Sequence, residues 1–280
     1  SGNSWESEEV RIGHFAHMNA SHPQSKASRS ASVEPPSREV RDTLSLGISL
    51  LILGTVWLIA IAIVDPRGEF MVNDDWCFVR ALQELFAHGR LESTGWGPTG
   101  APGGPSILIH LLWGHLFASV GGFSLTTLRL SVLVAGILGS VAVLALLRAG
   151  NGSHKEALWG TLTLVCCPLY FSQCFTFMSD ITFAALLSFA MWLLFLGVQS
   201  ARTWILVAAL VFSLASVLTR QIGIVLPLAF LGVCLVHPLG KNLGRTKMVV
   251  MVMGIVLVPW LLYEYFLAWI GSTPITDHQV

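Results

Sequence analysis

The segment at residues 44–64 reads LSLGISLLILGTVWLIAIAIV, and it decides the class of fold. It carries no charge over about 20 residues, the length that a helix needs to cross the hydrocarbon core of a bilayer. The whole chain follows the same trend, because 54% of its 280 residues are hydrophobic and only 11% are charged. A soluble domain usually has about 25% charged residues. These features predict an integral membrane protein built from helices.

Further apolar stretches follow, and two of them are ambiguous. The clear ones cover residues 130–147, 157–177, 181–198 and 248–270. Residues 106–120 are short for a span and contain His110 and His115, which suits a helix that lies at the interface. Residues 204–236 are too long for one ordinary span and carry Arg220 at their middle. A charge at that depth costs about 2.5–3.5 kcal/mol.

The positive-inside rule favours two short spans, 204–218 and 222–236, joined by a turn near Arg220. We take the N-terminus as cytoplasmic and residues 106–120 as not crossing. The short cytoplasmic connections then contain Arg148, Lys155, Arg202, Lys241, Arg245 and Lys247. A single span over 204–236 would move the last three of these residues outside. We therefore predict an all-α, polytopic membrane helix bundle of about seven spans, with juxtamembrane helices in the first outer loop.

The same pattern divides the chain into a tail, a membrane domain and a short end. Residues 1–43 are polar, rich in Ser and without apolar periodicity, which predicts a disordered cytoplasmic tail. Residues 44–270 are the expected membrane domain, with the outer loop at 65–129, and residues 271–280 are a short outer tail. The numbering starts at Ser1 and ends soon after the last predicted span. A fragment, a minimal catalytic module and a degenerate copy of a longer enzyme therefore all remain open.

Acidic residues lie near the start of the outer loop. The segment 70–78 reads FMVNDDWCF, and residues 76–88 continue as an amphipathic helix with apolar residues at near-helical spacing. Asn73 or Asp74 is the expected N-cap. We expect the helix to lie flat on the bilayer with its apolar side, which includes Trp76 and Phe86, against the lipid. The adjacent carboxylates Asp74 and Asp75 have three possible uses: a general base, ligands for a divalent cation, or a helix cap.

Two further charges are candidates for function, and the predicted topology puts them on the same outer face as the acidic loop. Asp180 lies in the short break FMSDI between two apolar runs, where an acid is a functional candidate by default and also an N-cap candidate. Arg220 can pair with Asp180 or bind a lipid phosphate through two hydrogen bonds. The alternative is an arginine that only marks the interface. His110 and His115 do not share one helix face, so the pair predicts no metal site.

In their order, these motifs resemble those of the GT-C glycosyltransferases. The likeness is strongest to the bacterial relatives of protein O-mannosyltransferases and lipid A aminoarabinose transferases, and it covers about residues 65–270. NDDW at 73–76 is similar to the family's acidic motif in the first loop, and SDITF at 179–183 is similar to the acid of the second loop. FSLTTLRLS at 123–131 and LTRQIG at 218–223 resemble the start of the second span and a recurrent segment between later spans.

The resemblance implies an inverting glycosyltransferase that moves a sugar from a polyprenyl-phosphate donor to a lipid, glycan or protein acceptor on the non-cytoplasmic face. It implies Asp74 as the base that deprotonates the acceptor and Asp75 as its partner or as a metal ligand. Asp180 and Asn73 are expected to bind substrate. By its charge and its side of the membrane, Arg220 is expected to meet the lipid phosphate. Any divalent metal would be held by Asp74, Asp75 and Asp180.

The expected location is a bacterial plasma membrane, with a cytoplasmic N-terminus and a periplasmic or extracellular active face, in cell-envelope synthesis. The net charge of zero provides no field that would attract nucleic acid. A transporter or flippase of a lipid-linked or small substrate is an alternative, since broken helices and intramembrane charges also mark transporters. A non-catalytic membrane subunit is another. No repeat relates the two halves of the chain, and the charges collect on one face, which favours the enzyme.

Overall fold

The computed structural model describes residues 38–68, 75–88, 107–150, 152–200 and 202–236, together with Met253, Leu257, Leu261 and Tyr265. Every regular element in these ranges is helical, so the predicted all-α membrane helix bundle is confirmed. The helices are α1 (Arg38–Val64), α2 (Asp75–His88), α3 (Leu108–Gly121), α4 (Leu125–Ala149), α5 (His154–Val165), α6 (Pro168–Gln173), α7 (Ser179–Ser200), α8 (Thr203–Val217) and α9 (Val225–Val236). A 3₁₀ turn at Gln221–Ile224 precedes α9.

Among the described residues, three helical segments are long and apolar enough to cross a membrane: Ser45–Val64, Leu125–Ala149 and Ser179–Ser200. α3, α8 and the segment 221–233 are shorter apolar helices. Large apolar side chains remain exposed along α1, including those of Leu51 and Ile63, as expected for a surface that faces lipid. The predicted number of spans stays a prediction, and the predicted span at 248–270 lies largely outside the described residues.

α4 and α7 form the central pair of the bundle and run parallel. Gly136 lies against Ile181 and Gly139 lies against Ala185, where a Cβ at Gly139 would be 3.0 Å from the Cα of Ala185. Small residues allow two membrane helices to approach this closely. Because the contacts advance in step along both helices, α4 and α7 begin at the same end. We call it the loop end, because residues 65–68 lie there beside the start of α4.

Aromatic side chains hold three other helices against α4. Trp57 of α1 donates to Ser140 Oγ (3.1 Å), Trp113 of α3 to the Ser131 carbonyl (2.8 Å), and Tyr170 of α6 to the Gly136 carbonyl (2.8 Å). Buried Trp N–H and Tyr O–H groups need an acceptor. Each bond therefore favours one orientation of its helix about its own axis, with the aromatic side chain turned towards α4.

α3 does not run from one end of the bundle to the other. This agrees with the prediction that residues 106–120 do not cross the membrane. Its first turn lies beside the start of α7, since His110 contacts Thr182, and its last residue contacts Thr127 at the start of α4. Its 14 residues span about 21 Å, whereas the hydrocarbon core is about 30 Å thick. Gly122, with φ of 80°, lets the chain turn between α3 and α4.

The predicted span at 157–177 is wrong as one continuous helix, because it is divided into α5 and α6. Pro168 is the first residue of α6, and it has no N–H for the helical bond to the carbonyl of Leu164. Its ring would also clash with that carbonyl if α5 continued. The two short helices together return the chain to the loop end, where α7 starts.

The predicted division of 204–236 is confirmed. α8 ends at Val217, and Arg220 has extended backbone before the 3₁₀ turn. Gly223 then packs on Ser216, and Phe230 of α9 reaches the apolar cluster around Leu206 of α8. The two helices therefore form a hairpin with Arg220 at its tip.

α2 occupies nearly the predicted range, but the predicted placement of its apolar side against lipid is wrong in part. Val79 and Leu82 are buried in the protein core, and Leu82 lies close to Gly114 of α3. Trp76 and Phe86, which the sequence assigned to the same apolar face, are 42% and 45% exposed. α3 therefore covers much of the apolar side of α2, which the sequence analysis placed against lipid. The N-cap predicted at residue 73 or 74 lies outside the described residues.

Candidate active site

Asp75, the second acid of the outer-loop motif, anchors the start of α2 to the turn before α7. Its side chain is buried, and its Oδ1 accepts the peptide N–H of Phe177 at 3.1 Å. A buried N–H group without an acceptor would cost about 1–3 kcal/mol, so this bond stabilises the contact. The bond therefore holds the end of the acidic loop two residues before Ser179, where α7 begins.

Asp180 and Arg220 form an ion pair at the loop end. Arg220 Nη2 donates to Asp180 Oδ2 at 2.8 Å, and Arg220 Nε donates to Ser179 Oγ at 3.2 Å. The Asp180 and Arg220 side chains are 38% and 40% exposed. The tip of the α8–α9 hairpin is thereby attached to the first turn of α7. Partial exposure leaves both charges within reach of a ligand.

The first turn of α3 contacts both segments that carry this ion pair. The Ile109 peptide N–H donates to the Leu218 carbonyl at 3.3 Å, two residues before Arg220. The Nδ1 of His110 lies 3.0 Å from Thr182 Oγ1, two residues after Asp180. The first turn of α3 therefore contacts residues close to both Asp180 and Arg220.

Residues 65–68 lead out of α1 towards the acidic motif and are fixed at several points. Arg67 donates two hydrogen bonds to the carboxylate of Asp65, of 2.7 and 2.9 Å. These bonds and the positive charge of Arg67 lower the pKa of Asp65 below its usual range. Gly68 donates to Thr126 Oγ1 and accepts from Nη1 of the buried Arg129 at 2.9 Å. The loop thus begins from a defined position on α4.

The predicted site residues fall into two groups. Asp75, Asp180 and Arg220 are described, and they lie around the start of α7. Asn73 and Asp74 lie outside the described residues, although Asp74 precedes Asp75 directly in the chain.

A metal site finds no support in the acids that the structure describes. Asp75 is bound to a peptide N–H and Asp180 to a guanidinium. Within the described ranges, no group of three or more His, Cys, Asp and Glu side chains is arranged to hold a metal.

His110 and Arg129 are two site residues whose roles were not predicted from the sequence. A histidine inside an apolar stretch and an arginine near the start of a membrane helix are both costly to bury. That cost was the signal in the sequence that each residue has a specific partner in the folded protein. Their partners, Thr182 and Gly68, are too distant in the chain for the sequence to indicate.

The fold has a counterpart among solved structures, the crystal structure of ArnT from Cupriavidus metallidurans bound to undecaprenyl phosphate. The TM-score is 0.55 at 20% sequence identity, with 82% of this chain and 42% of the ArnT chain covered. This likeness is one of fold, and the chain spans less than half the length of the ArnT chain. Together with the family match below, this fold identifies a membrane protein of the GT-C class, as the sequence motifs implied.

The family follows from the sequence match. Residues 108–263 match the model of the dolichyl-phosphate-mannose-protein mannosyltransferase family. The match covers more than half of the chain, and the chain belongs to this family. No curated protein matches it. The chain is therefore an integral membrane protein of a glycosyltransferase family.

Proposed function

We propose that the chain catalyses inverting transfer of a sugar from a polyprenyl-phosphate donor to an acceptor hydroxyl on the non-cytoplasmic face. The observation that carries this proposal is the half-exposed Asp180–Arg220 ion pair beside the anchor of the acidic loop at Phe177. Membership of a mannosyltransferase family supports the reaction class. The fold shared with ArnT, whose crystal structure contains undecaprenyl phosphate, supports the donor class.

Arg220 is the proposed contact for the donor phosphate. A guanidinium has a planar fork of N–H donors that matches the oxygens of a phosphate. Asp180 and Ser179 hold this fork at the loop end before the donor arrives. The polyprenyl chain would remain among the apolar helices while its phosphate meets Arg220. Asp180, with its charge partly exposed, would then help to orient the acceptor.

Asp74 is the proposed base, one residue before the anchored Asp75. Asp74 would accept the proton of the acceptor hydroxyl as the hydroxyl oxygen forms a bond to the anomeric carbon of the sugar. The bond between that carbon and the phosphate oxygen breaks, and its electron pair leaves with the polyprenyl phosphate. Arg220 would compensate the charge that develops on the phosphate. A single displacement of this kind inverts the anomeric configuration.

The remaining assignments belong to the same proposal. Asn73 would contact substrate beside the base. The acceptor class is a lipid, a glycan or a protein, and the membrane is the bacterial plasma membrane with the loop end facing outwards. Asp75 would act as the partner of Asp74 by holding the loop, which agrees with its burial.

The test measures donor binding and transfer with the 280-residue chain in proteoliposomes. We expect it to bind undecaprenyl phosphate and to transfer mannose or aminoarabinose from the matching polyprenyl-phosphate donor. Hydrogen bonds to charged groups contribute about 1.5–3 kcal/mol, so Arg220→Gln should weaken undecaprenyl phosphate binding roughly 10- to 100-fold. Asp74→Asn should retain binding but lower the transfer rate by about 10²- to 10⁴-fold, the contribution of a general base.

Arg202→Gln is the matched control for Arg220→Gln. Arg202 is an exposed arginine at the opposite end of α8, and its loss should leave binding and transfer unchanged. Equal binding by the wild type and Arg220→Gln would remove Arg220 from the phosphate site. Movement of the lipid across the bilayer without a covalent product would instead support the flippase alternative.

A further inference from the structure

His110 is a polar side chain buried in the apolar core next to the candidate site. Its exposed fraction is 0%, and its hydrogen bond to Thr182 joins α3 to the first turn of α7. Thr182 is also buried, at 3% exposure.

The ring of His110 also packs against the turn that Asp75 anchors. It lies on Phe177 with 4.4 Å between ring centroids and meets Phe78 of α2 edge-on at 5.3 Å. One helical turn further along α3, a Cβ at Gly114 would be 2.7 Å from the ring of Phe177. α3 therefore presents a small residue and a flat ring to Phe177, and the two together fix where that side chain lies.

A leucine would fill this space without the cost of burying an imidazole. The polar ring makes a directional bond that leucine cannot make, and the bond reaches the turn of α7 that carries Asp180. The neighbouring Ile109 holds the segment that carries Arg220 through the Leu218 carbonyl. One turn of α3 thus contacts Thr182, two residues after Asp180, and Leu218, two residues before Arg220.

We propose that His110 is a positioning residue, which acts through Thr182 and Phe177 to hold Asp180 and Arg220 where the reaction needs them. This inference rests on the proposed transferase function. Charged groups must be placed accurately around a reacting centre, and a displacement of about 1 Å can lower the rate by about 10²-fold. Loss of His110 should therefore reduce the rate of the chemical step more than it reduces donor binding.

The first measurement is steady-state kinetics of the full chain in proteoliposomes with a polyprenyl-phosphate mannose donor. We expect His110→Leu to lower kcat by about tenfold or more. KM for the donor should change by less than about threefold, because Arg220 keeps its own hydrogen bonds to Asp180 and Ser179. His110→Asn should recover most of kcat, because its amide can take the place of Nδ1. Thr182→Val should resemble His110→Leu, and the double variant should be no worse than either single one.

His115→Leu is the control on the same helix. His115 also lies against a phenylalanine, with its ring 5.4 Å from that of Phe86, but no hydrogen bond or ring contact joins its side chain to α7 among the described residues. Its loss should leave kcat unchanged. An unchanged kcat in His110→Leu, or a His110→Asn variant as slow as His110→Leu, would overturn the positioning role.

Hydrogen exchange in nanodiscs separates this inference from the proposed function. His110→Leu should speed amide exchange in the first turn of α7 and around residues 218–221, while exchange elsewhere stays as in the wild type. His110→Asn should restore protection. A wild-type chain that neither binds undecaprenyl phosphate nor transfers sugar would overturn the proposed function, and the exchange data would still test His110. Unchanged exchange in His110→Leu would overturn the inference whatever the activity.

Discussion

Asp75 and Asp180 both lie beside the start of α7, but their surroundings give them different properties. Asp75 is buried and accepts a peptide N–H, whereas the side chain of Asp180 is 38% exposed and pairs with Arg220. A carboxylate without access to solvent is suited to hold structure. A partly exposed ion pair contributes only about 0–1 kcal/mol to stability, so it is suited to open for a charged ligand.

Replacement of Asp75 should therefore affect stability. Asp75→Ala removes the acceptor of the Phe177 N–H, and a buried donor without a partner costs about 1–3 kcal/mol. We expect a lower unfolding midpoint for the purified chain in detergent, measured by thermal denaturation. Gln83→Ala, at an exposed position of the same helix, is the control and should leave the midpoint unchanged. An Asp75→Ala protein as stable as the control would contradict the anchoring role.

The segment between α8 and α9 determines where Arg220 lies, and it depends on close packing at Gly223. The Gly223 N–H donates to the Arg220 carbonyl at 2.9 Å. A Cβ at Gly223 would be 2.8 Å from backbone atoms of Ser216 and Val217. Backbone atoms at the end of a helix cannot move aside as a flexible side chain can. Any larger residue must therefore displace the turn.

Gly223→Ala should destabilise the chain by about 1–3 kcal/mol, the usual cost of overpacking. It should also weaken undecaprenyl phosphate binding, because Arg220 moves with the turn. Gly232→Ala is the matched control on α9, since nothing lies within 4 Å of a Cβ there, and alanine in a helix stabilises by roughly 0.5–1 kcal/mol. Thermal denaturation and lipid binding would check both variants. Equal unfolding midpoints and equal lipid binding in the two alanine variants would show that the close approach at Gly223 does not determine the position of the turn.

Among the described residues, the bundle separates its candidate site from the basic connection between α4 and α5, which contains Arg148 and Lys155. Arg67 follows α1 at the loop end, whereas Lys155 lies at the start of α5, beyond the far end of α4. Because α4 is long enough to cross a membrane, the two positions should face opposite sides of the bilayer. The positive-inside rule predicts that Lys155 is cytoplasmic.

Cysteine labelling in intact cells would test this arrangement. Arg67→Cys should react with an impermeant maleimide from outside, and Lys155→Cys should react only after the membrane is permeabilised. Both positions are exposed in the structure, so access is decided by the membrane. The chain with its native cysteines gives the background signal. Labelling of both variants from the same side would contradict the span of α4, and the reverse pattern would contradict the predicted orientation.

The sequence by itself determined the class of fold, the approximate positions of most helices and the break near Arg220. These features depend on local properties: the length of an apolar run, the cost of a charge inside it, and the asymmetry of Lys and Arg between short loops. The exact bounds differ, since α1 begins at Arg38 within the predicted disordered tail and α4 begins five residues before its predicted span. The same local reasoning missed the break at Pro168, because an apolar stretch continues on both sides of the proline. It also placed the apolar side of α2 against lipid, because periodicity identifies an apolar face but not what covers it.

Only the tertiary structure decided which residues meet at the loop end. Arg220 pairs with an acid 40 residues away, His110 with a hydroxyl 72 residues away, and Asp75 with a peptide N–H 102 residues away. Such contacts depend on how closely the helices approach and how each is rotated. Those properties are set by small residues such as Gly136 and Gly139 together with their partners on α7. The physical reason is that the pattern of apolar residues is a local property of each segment, whereas a site depends on directional contacts between packed helices.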